Sequence, residues 1–320
     1  MNNTLYIFGN GFDLFHEIKT KYSDFRDWLI KKYKIDPNED YYQFDLPGYG
    51  TNYKGLEDYS KREFAKFFFC LLSDIDNDCE WKDFEDMLGK IRWEHILECI
   101  EDFVDVENED DEDPFYYEMK KETSYSNEAQ KCLESSHILK ILFRDWIEYV
   151  NLSINKELKK DFFKNLDNNS FYLTFNYTNT LEIVYEIHNV CHIHGNIEKA
   201  NSADSIIVGH GSLDFPLLTD NQSKYEAYEI FNEIFKGFYK ETLKQLESHK
   251  DFFDSLQNVE IIYIYGLSLN VIDRAYFEYI FKKYKNIKKV FLYSYDPNEW
   301  ESKKKKIMMY GFEGEIINWE

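Results

Sequence analysis

A short apolar run, Leu5-Tyr6-Ile7-Phe8, stops abruptly at Gly9-Asn10-Gly11, and polar, helix-compatible residues follow. That is the form of a β-strand delivering its carboxyl end into a tight turn and then a helix. The next β-rich run is "SFYLTFNY" at 170–177, and the segment between them reads as mostly helical. A fold built on this strand therefore has to bring distant parts of the chain side by side.

The later part of the chain supplies the neighbours. "VCHIHG" (190–195) and "SIIVGHG" (205–211) read as short strands that each end at glycine. "VEIIYIYG" (259–266) is long enough for a buried parallel strand, and "KKVFLYSYD" (288–296) and "GEIINW" (314–319) complete the set. Helical spacing is visible over 20–34, where Tyr22, Phe25, Trp28, Leu29 and Tyr33 recur. Ser60-Lys61-Arg62-Glu63 has the form of a capping box before "FAKFFFCLL". Further helices are expected over 81–103, 128–160 and 222–257, in "TNTLEIVYEIH", and in "LSLNVIDRAYFEYIFKKY". Apolar strands alternating with helices predict an α/β, Rossmann-like, doubly wound and mainly parallel sheet. Residues 1–35 and 166–320 are assigned to this nucleotide-binding core, and 36–165 to a large, mainly helical insertion. Within the insertion, 36–58 reads as an irregular connection and "DVENEDDEDP" (105–114) as a loop too charged to pack.

Composition narrows the partners. A hydrophobic fraction of 43% supports a sizeable core, and the 27 Phe and 26 Tyr are read as filling it. The formal net charge of −22 opposes binding to nucleic-acid phosphates. The lysine runs at 282–289 and 303–306 are read as solvated helix faces and turn ends. No run approaches the ~20 apolar residues of a membrane span. The first strand begins close to Met1, so no signal peptide is expected. Five cysteines without a C-x-x-C pair suit a reducing cytoplasm.

In parallel α/β sheets, ligands bind beyond the carboxyl ends of the strands. Those ends carry Gly9, Asn10, Gly11 and Asp13; Thr174, Asn176 and Thr178; His192, His194 and Gly195; Gly209, His210 and Gly211; Gly266, Ser268 and Asn270, with Asp273 at the next helix start; and Ser294 and Asp296. Gly9-Asn10-Gly11 could let the backbone approach a pyrophosphate, or only turn the chain. Leu14 stands where the dinucleotide fingerprint has its third glycine. Asn176 could orient a water or a carboxamide beside a reactive carbon, or tie adjacent loops together. His194, left open on one side by Gly195, could be a histidine hydrogen-bonded in a loop, but its strand-end place next to Asn176 favours proton acceptance near neutrality. Gly266-Leu267-Ser268 reads as a second backbone-approach turn whose hydroxyl could meet a ribose or phosphate, or cap a helix. Asp273 could be simply a favourable charge at a helix start. His192, His194, His210 and Asp214 could together ligate a metal, but no carboxylate stands at ligand spacing, so none is expected.

"GNGFDL", "KTKYSDF", "TFNYTNTLE", "HIHG", "VGHG" and "YGLSLNVIDRAYFEYI", in this order, resemble the AbiH-type bacteriophage abortive-infection proteins. The same pieces are distantly similar to the sirtuin NAD-binding core. Gly9-Asn10-Gly11 matches its first glycine turn, Thr174 and Asn176 its Thr and Asn, His194-Gly195 its catalytic His-Gly, and Gly266-Leu267-Ser268 its Gly-Thr-Ser turn. Thr178 replaces the sirtuin Asp, and the zinc-binding cysteines are missing. The resemblance implies a phage-defence protein that takes NAD and hydrolyses it at the nicotinamide–ribose bond. It places Asn176 and His194 at the chemistry, and Gly9, Asn10, Gly11, Asp13, Thr174, Gly195, Gly266, Ser268 and Asp273 around the nucleotide. The alternative is a sensor module that binds NAD or a related nucleotide without turning it over. A phage or host protein, or assembly into a homo-oligomer, could supply the trigger.

Overall fold

The computed structural model describes residues 3–37, 61–62, 64–66, 68–69, 85, 88–89, 113–197, 206–211 and 219–320. Six strands form one sheet: β1 (Thr4–Phe8), β2 (Phe171–Thr174), β3 (Val190–His192), β4 (Ile261–Tyr265), β5 (Lys289–Leu292) and β6 (Glu315–Asn318). Their order across the sheet is β3-β2-β1-β4-β5-β6, and every pairing is parallel. This is the doubly wound order with its switch point between β1 and β4. The first strand in the chain is thus a central one. Tyr6 pairs with Tyr172 on one side and Tyr263 on the other, and Phe8 with Thr174 and Tyr265.

The helices among the described residues are α1 (Asn10–Phe15), α2 (Tyr22–Tyr33), α3 (Pro114–Asn151), α4 (Thr180–Tyr185), α5 (Tyr225–Gly237), α6 (Thr242–Ser248), α7 (Lys250–Ser255), α8 (Arg274–Lys283) and α9 (Pro297–Met309). The helix anticipated over 128–160 is α3. It starts earlier because Asp113 caps it, its Oδ1 accepting the Phe115 N–H at 2.9 Å, with Pro114 at the first position. It also ends earlier, giving way to 3₁₀ turns at Lys156–Leu158 and Asp161–Phe163. Residues 61–62, 64–66 and 68–69 are helical, as the capping box predicted. Most of 81–103, the 36–58 connection and the acidic 105–114 run lie outside the described residues.

One expected strand is absent. Over the described part of 205–211 there is no ladder, just one parallel bridge between His210 and Tyr239. The His210 N–H donates to the Phe238 carbonyl at 2.8 Å, and a Cβ on Gly209 would meet that carbonyl oxygen at 1.9 Å. The glycine and histidine of "VGHG" are therefore held by a helix end, and they leave the set of strand-end residues.

The chain divides into two compact units, one of residues 1–24, 144–208 and 240–320, the other of 25–143 and 209–239. The first contains the whole sheet. One face of that sheet is aliphatic: Leu5, Ile7, Leu173, Ile262, Ile264, Val290 and Leu292 are fully buried against Leu246, Phe253, Phe277, Ile280 and Ile307 of α6 to α9. The other face is aromatic. Tyr172, Tyr6, Tyr263 and Phe291 stack across four strands at centroid distances of 5.3, 4.9 and 4.6 Å. In the second unit, Phe64, Phe68, Tyr125, Phe143, Phe231 and Phe235 are buried.

Candidate functional site

At the switch point the turn after β1 meets the turn after β4. The Gly9 N–H donates to the Tyr265 carbonyl at 3.0 Å and the Gly11 N–H to the Gly266 carbonyl at 2.9 Å. A Cβ on Gly11 would lie 2.6 Å from Gly266 Cα, and one on Gly266 would lie 2.5 Å from the Phe12 nitrogen. Gly266 also has φ +71°. These glycines are required by the approach of one main chain to another. The Phe12 N–H is used as well, donating to the Gly9 carbonyl at 2.8 Å. Beyond Gly266, the Ser268 carbonyl accepts from Lys306 Nζ at 3.0 Å and the Leu269 carbonyl from the Tyr310 hydroxyl at 2.9 Å. Leu269 is buried at φ +52°, a strained setting for a branched side chain. Asp273 is half-buried where α8 begins, and Asn10 Nδ2 donates to the Thr20 carbonyl at 3.0 Å.

Parallel pairing of β1 with β2 carries Asn176 to this turn. Its Nδ2 donates to the Gly9 carbonyl at 3.1 Å, and its main-chain N–H donates to Thr174 Oγ1 at 3.1 Å. Asp13, 1% exposed, lies beneath. Its Oδ2 accepts from Thr178 Oγ1 at 2.6 Å and its Oδ1 from Thr180 Oγ1 at 2.7 Å. Burial raises this carboxyl to about 6, against the opposing pull of hydrogen bonds from Thr178, Thr180 and Asn176 and the field of His192.

A second polar group adjoins from β3. His192 Nδ1 donates to the Asn176 carbonyl at 3.0 Å, and its Nε2 lies 2.8 Å from Glu182 Oε1. Asn196 Nδ2 lies 3.0 Å from the same Nε2 and donates to Asn179 Oδ1 at 2.7 Å. Thr180, Glu182, Asn179 and Asn196 were not singled out from sequence. The spacing Asn176-x-Thr178-x-Thr180-x-Glu182 was the available signal.

His194 lies apart from that network. The turn from His192 to Gly195, closed by the Gly195 N–H donating to the His192 carbonyl at 3.1 Å with Gly195 at φ +95°, directs the imidazole toward the aliphatic side. There it packs against Phe175, Tyr276 and Tyr177 at ring separations of 5.3, 6.0 and 6.3 Å. The ring is 3% exposed, and its Nε2 is fully buried without a hydrogen-bond partner. Burial holds it well below the ordinary imidazole value, reinforced by Lys240 and His249, so it is neutral near pH 7. Among the described residues no group of three or more His, Cys, Asp or Glu side chains could hold a metal ion. No helix among them is long and apolar enough to cross a membrane.

The fold and these strand ends define an α/β protein of the Rossmann-like class, with polar side chains gathered beside the switch point of its parallel sheet. Within that class, the chain belongs to the AbiH family: the family model described as "Bacteriophage abortive infection AbiH" matches residues 5–295. No curated protein and no solved structure matches the chain.

Proposed function

We propose that this protein acts in abortive infection by hydrolysing NAD at the nicotinamide–ribose bond, at the carboxyl ends of β1, β2 and β3. In this reading the C1′–N bond breaks and its electron pair leaves with neutral nicotinamide. A water oxygen bonds to C1′, and the proton it loses passes to His194 Nε2. Asn176, held in the network on the other side of the strand ends, orients the carboxamide. Gly9, Asn10 and Gly11 border the pyrophosphate, Gly266 and Ser268 the adenosine half, and Thr174, Gly195 and Asp273 hold the surrounding main chain. The observation that carries the reading is the buried Nε2 of a neutral His194 beside the end of β3, which has no hydrogen-bond partner among the described residues and is free to take up a proton. The sirtuin-like pattern in the sequence is the reason for naming NAD.

The experiment is incubation with NAD and measurement of free nicotinamide. Wild-type protein is expected to release it. His194→Ala is expected to lose roughly a hundredfold or more of that rate, the range for removing a general base, and Asn176→Ala to be impaired too. Equal release from all three would reject the assignment.

One feature favours a sensor that binds the nucleotide without turnover. The amides of Gly9, Gly11 and Phe12 are already bonded within the protein, which leaves little for a pyrophosphate to draw on. Stable binding of NAD by calorimetry, with no nicotinamide formed, would select that reading.

A further inference from the structure

Four polar side chains are joined in series beside the ends of β2 and β3. Asn179 Oδ1 accepts from Asn196 Nδ2 at 2.7 Å, that Nδ2 lies 3.0 Å from His192 Nε2, and the same Nε2 lies 2.8 Å from Glu182 Oε1. His192 is fixed in turn by Nδ1 donating to the Asn176 carbonyl at 3.0 Å, which points Nε2 at Glu182. The series is bonded within and open at its two ends. Asn179 Nδ2 is a buried donor and Glu182 Oε2 a buried acceptor, and neither has a partner among the described residues. Asn179 is 1% exposed, whereas the Glu182 side chain is 21% exposed and forms the outer end. The two residues are three apart across the first turn of α4, so their side chains lie on the same side of it. Neither serves the turn itself. The Asn179 side chain makes no capping bond, and the Asn179 N–H, which a Glu at 182 could otherwise accept, goes to Asn151 Oδ1 at 3.1 Å.

A buried donor and a buried acceptor left open are each costly. One group answers both if it carries an acceptor and a donor side by side. A primary carboxamide does so; an ionised carboxylate, which has only acceptors, satisfies the first and opposes the second.

We infer that Asn179 and Glu182 determine specificity for the leaving group: Asn179 Nδ2 donates to the carboxamide oxygen, Glu182 Oε2 accepts from its NH2, and the site takes a pyridine carboxamide while refusing the corresponding acid. The inference rests on the proposed NAD hydrolysis for the identity of the ring, and on the two open atoms for the choice of amide over acid. The placement suits a direct displacement, in which water reaches the face of C1′ opposite the departing ring. His194 is turned to the aliphatic side of the strand ends, and this cluster lies on the other. Asn179 and Glu182 hold the leaving group and move no proton.

Two pairs of probes separate amide from acid. NAD is compared with nicotinic acid adenine dinucleotide in turnover by the full chain. Free nicotinamide is compared with free nicotinic acid in saturation-transfer NMR, which needs no reaction. Wild type is expected to favour the amide of each pair, in turnover by roughly ten- to a hundredfold in kcat/KM, as setting a buried acceptor against another acceptor does. Glu182→Met keeps the length of the side chain without its acceptor, and the preference is expected to disappear. Asn179→Asp keeps the bond from Asn196 but offers an acceptor in place of Nδ2, and is expected to raise KM for NAD roughly tenfold with a smaller change in kcat. A merely structural role for either residue would lower activity on both dinucleotides alike and leave their ratio in place.

Equal turnover of the two dinucleotides by wild type would overturn the inference and leave the hydrolysis standing. So would a Glu182→Met protein that melts cooperatively and keeps the wild-type preference; the open atoms then hold water alone. Nicotinamide bound in preference to nicotinic acid, without any release from NAD, has the opposite meaning: the amide site stands and the hydrolysis falls. If neither small molecule binds and neither dinucleotide is cleaved, both are overturned.

Discussion

The two faces of the sheet are built from different side chains and closed to different degrees. On the aliphatic face, Leu5, Ile7, Ile262, Ile264, Val290 and Leu292 are fully buried, as branched side chains with no polar atom have to be. On the aromatic face, Tyr6, Tyr263, Phe291 and Trp319 are half-buried. Tyrosine suits that position because its ring packs while its hydroxyl stays hydrated; burial raises the Tyr6 hydroxyl to about 12, so it remains a neutral phenol. The ladder from Tyr172 to Phe291 follows the parallel register, each ring standing on the residue paired with its neighbour. The polar residues divide along the same line. Thr174 and His192 continue the alternation of the aromatic face, whereas His194 is turned to the aliphatic side, where water is excluded and an imidazole is held neutral. One sheet thereby offers a hydrogen-bonded network and an isolated proton acceptor on opposite sides of adjacent strand ends.

If the aliphatic face carries more of the stability, Ile264→Ala is expected to have the largest effect, about 2–5 kcal/mol in urea unfolding, the range for truncating a buried aliphatic residue. The seam between the turns comes next. Gly11→Ala, which forces a Cβ to 2.6 Å from Gly266 Cα, is expected to lower stability by about 1–3 kcal/mol, as overpacking does. On the aromatic face, Tyr263→Leu removes stacking on Tyr6 and Phe291 but keeps apolar bulk, and about 1 kcal/mol is expected. A loss larger than that of Ile264→Ala would break the comparison. The smallest effect is a slope with pH. His16 and His194 are held below their ordinary values by burial. The unfolded chain therefore takes up protons that the fold refuses, and stability falls as pH drops below about 6.5. Asp13 acts in the other direction: raised to about 6, it favours the fold at low pH and that contribution is lost as pH rises through 6. Thermal melts of Asp13→Asn between pH 7 and 5 are accordingly expected to fall more steeply than those of wild type.

Much of this architecture was legible in the residues. The continuous apolar runs "LYIF" and "IIYIY" mark buried parallel strands, and the glycines that end them mark the switch point. The strand at 205–211 was misleading because Ile206 and Val208 are buried without pairing. Apolarity records burial, and a ladder needs a neighbour that composition does not name. Within the site, Asn176 and the first glycine turn were found together because both fall at strand ends. The spacing of Thr180 and Glu182 behind Asn176 was legible, but their partners, and that of Asn196, were not, since each is supplied by another element. The glycine turns also looked the same from sequence whether they served phosphates or one another, because close approach of any backbone requires the same missing Cβ.

The position of β1 has a consequence for how the protein comes into being. Its two partners begin at Phe171 and Ile261, so during synthesis one edge of β1 stays bare until β2 has been made and the other until β4 follows some ninety residues later. Closures over such sequence distances are slow. The contact between Gly11 and Gly266 forms only when β4 arrives, so a nascent or prematurely ended chain has no completed switch point.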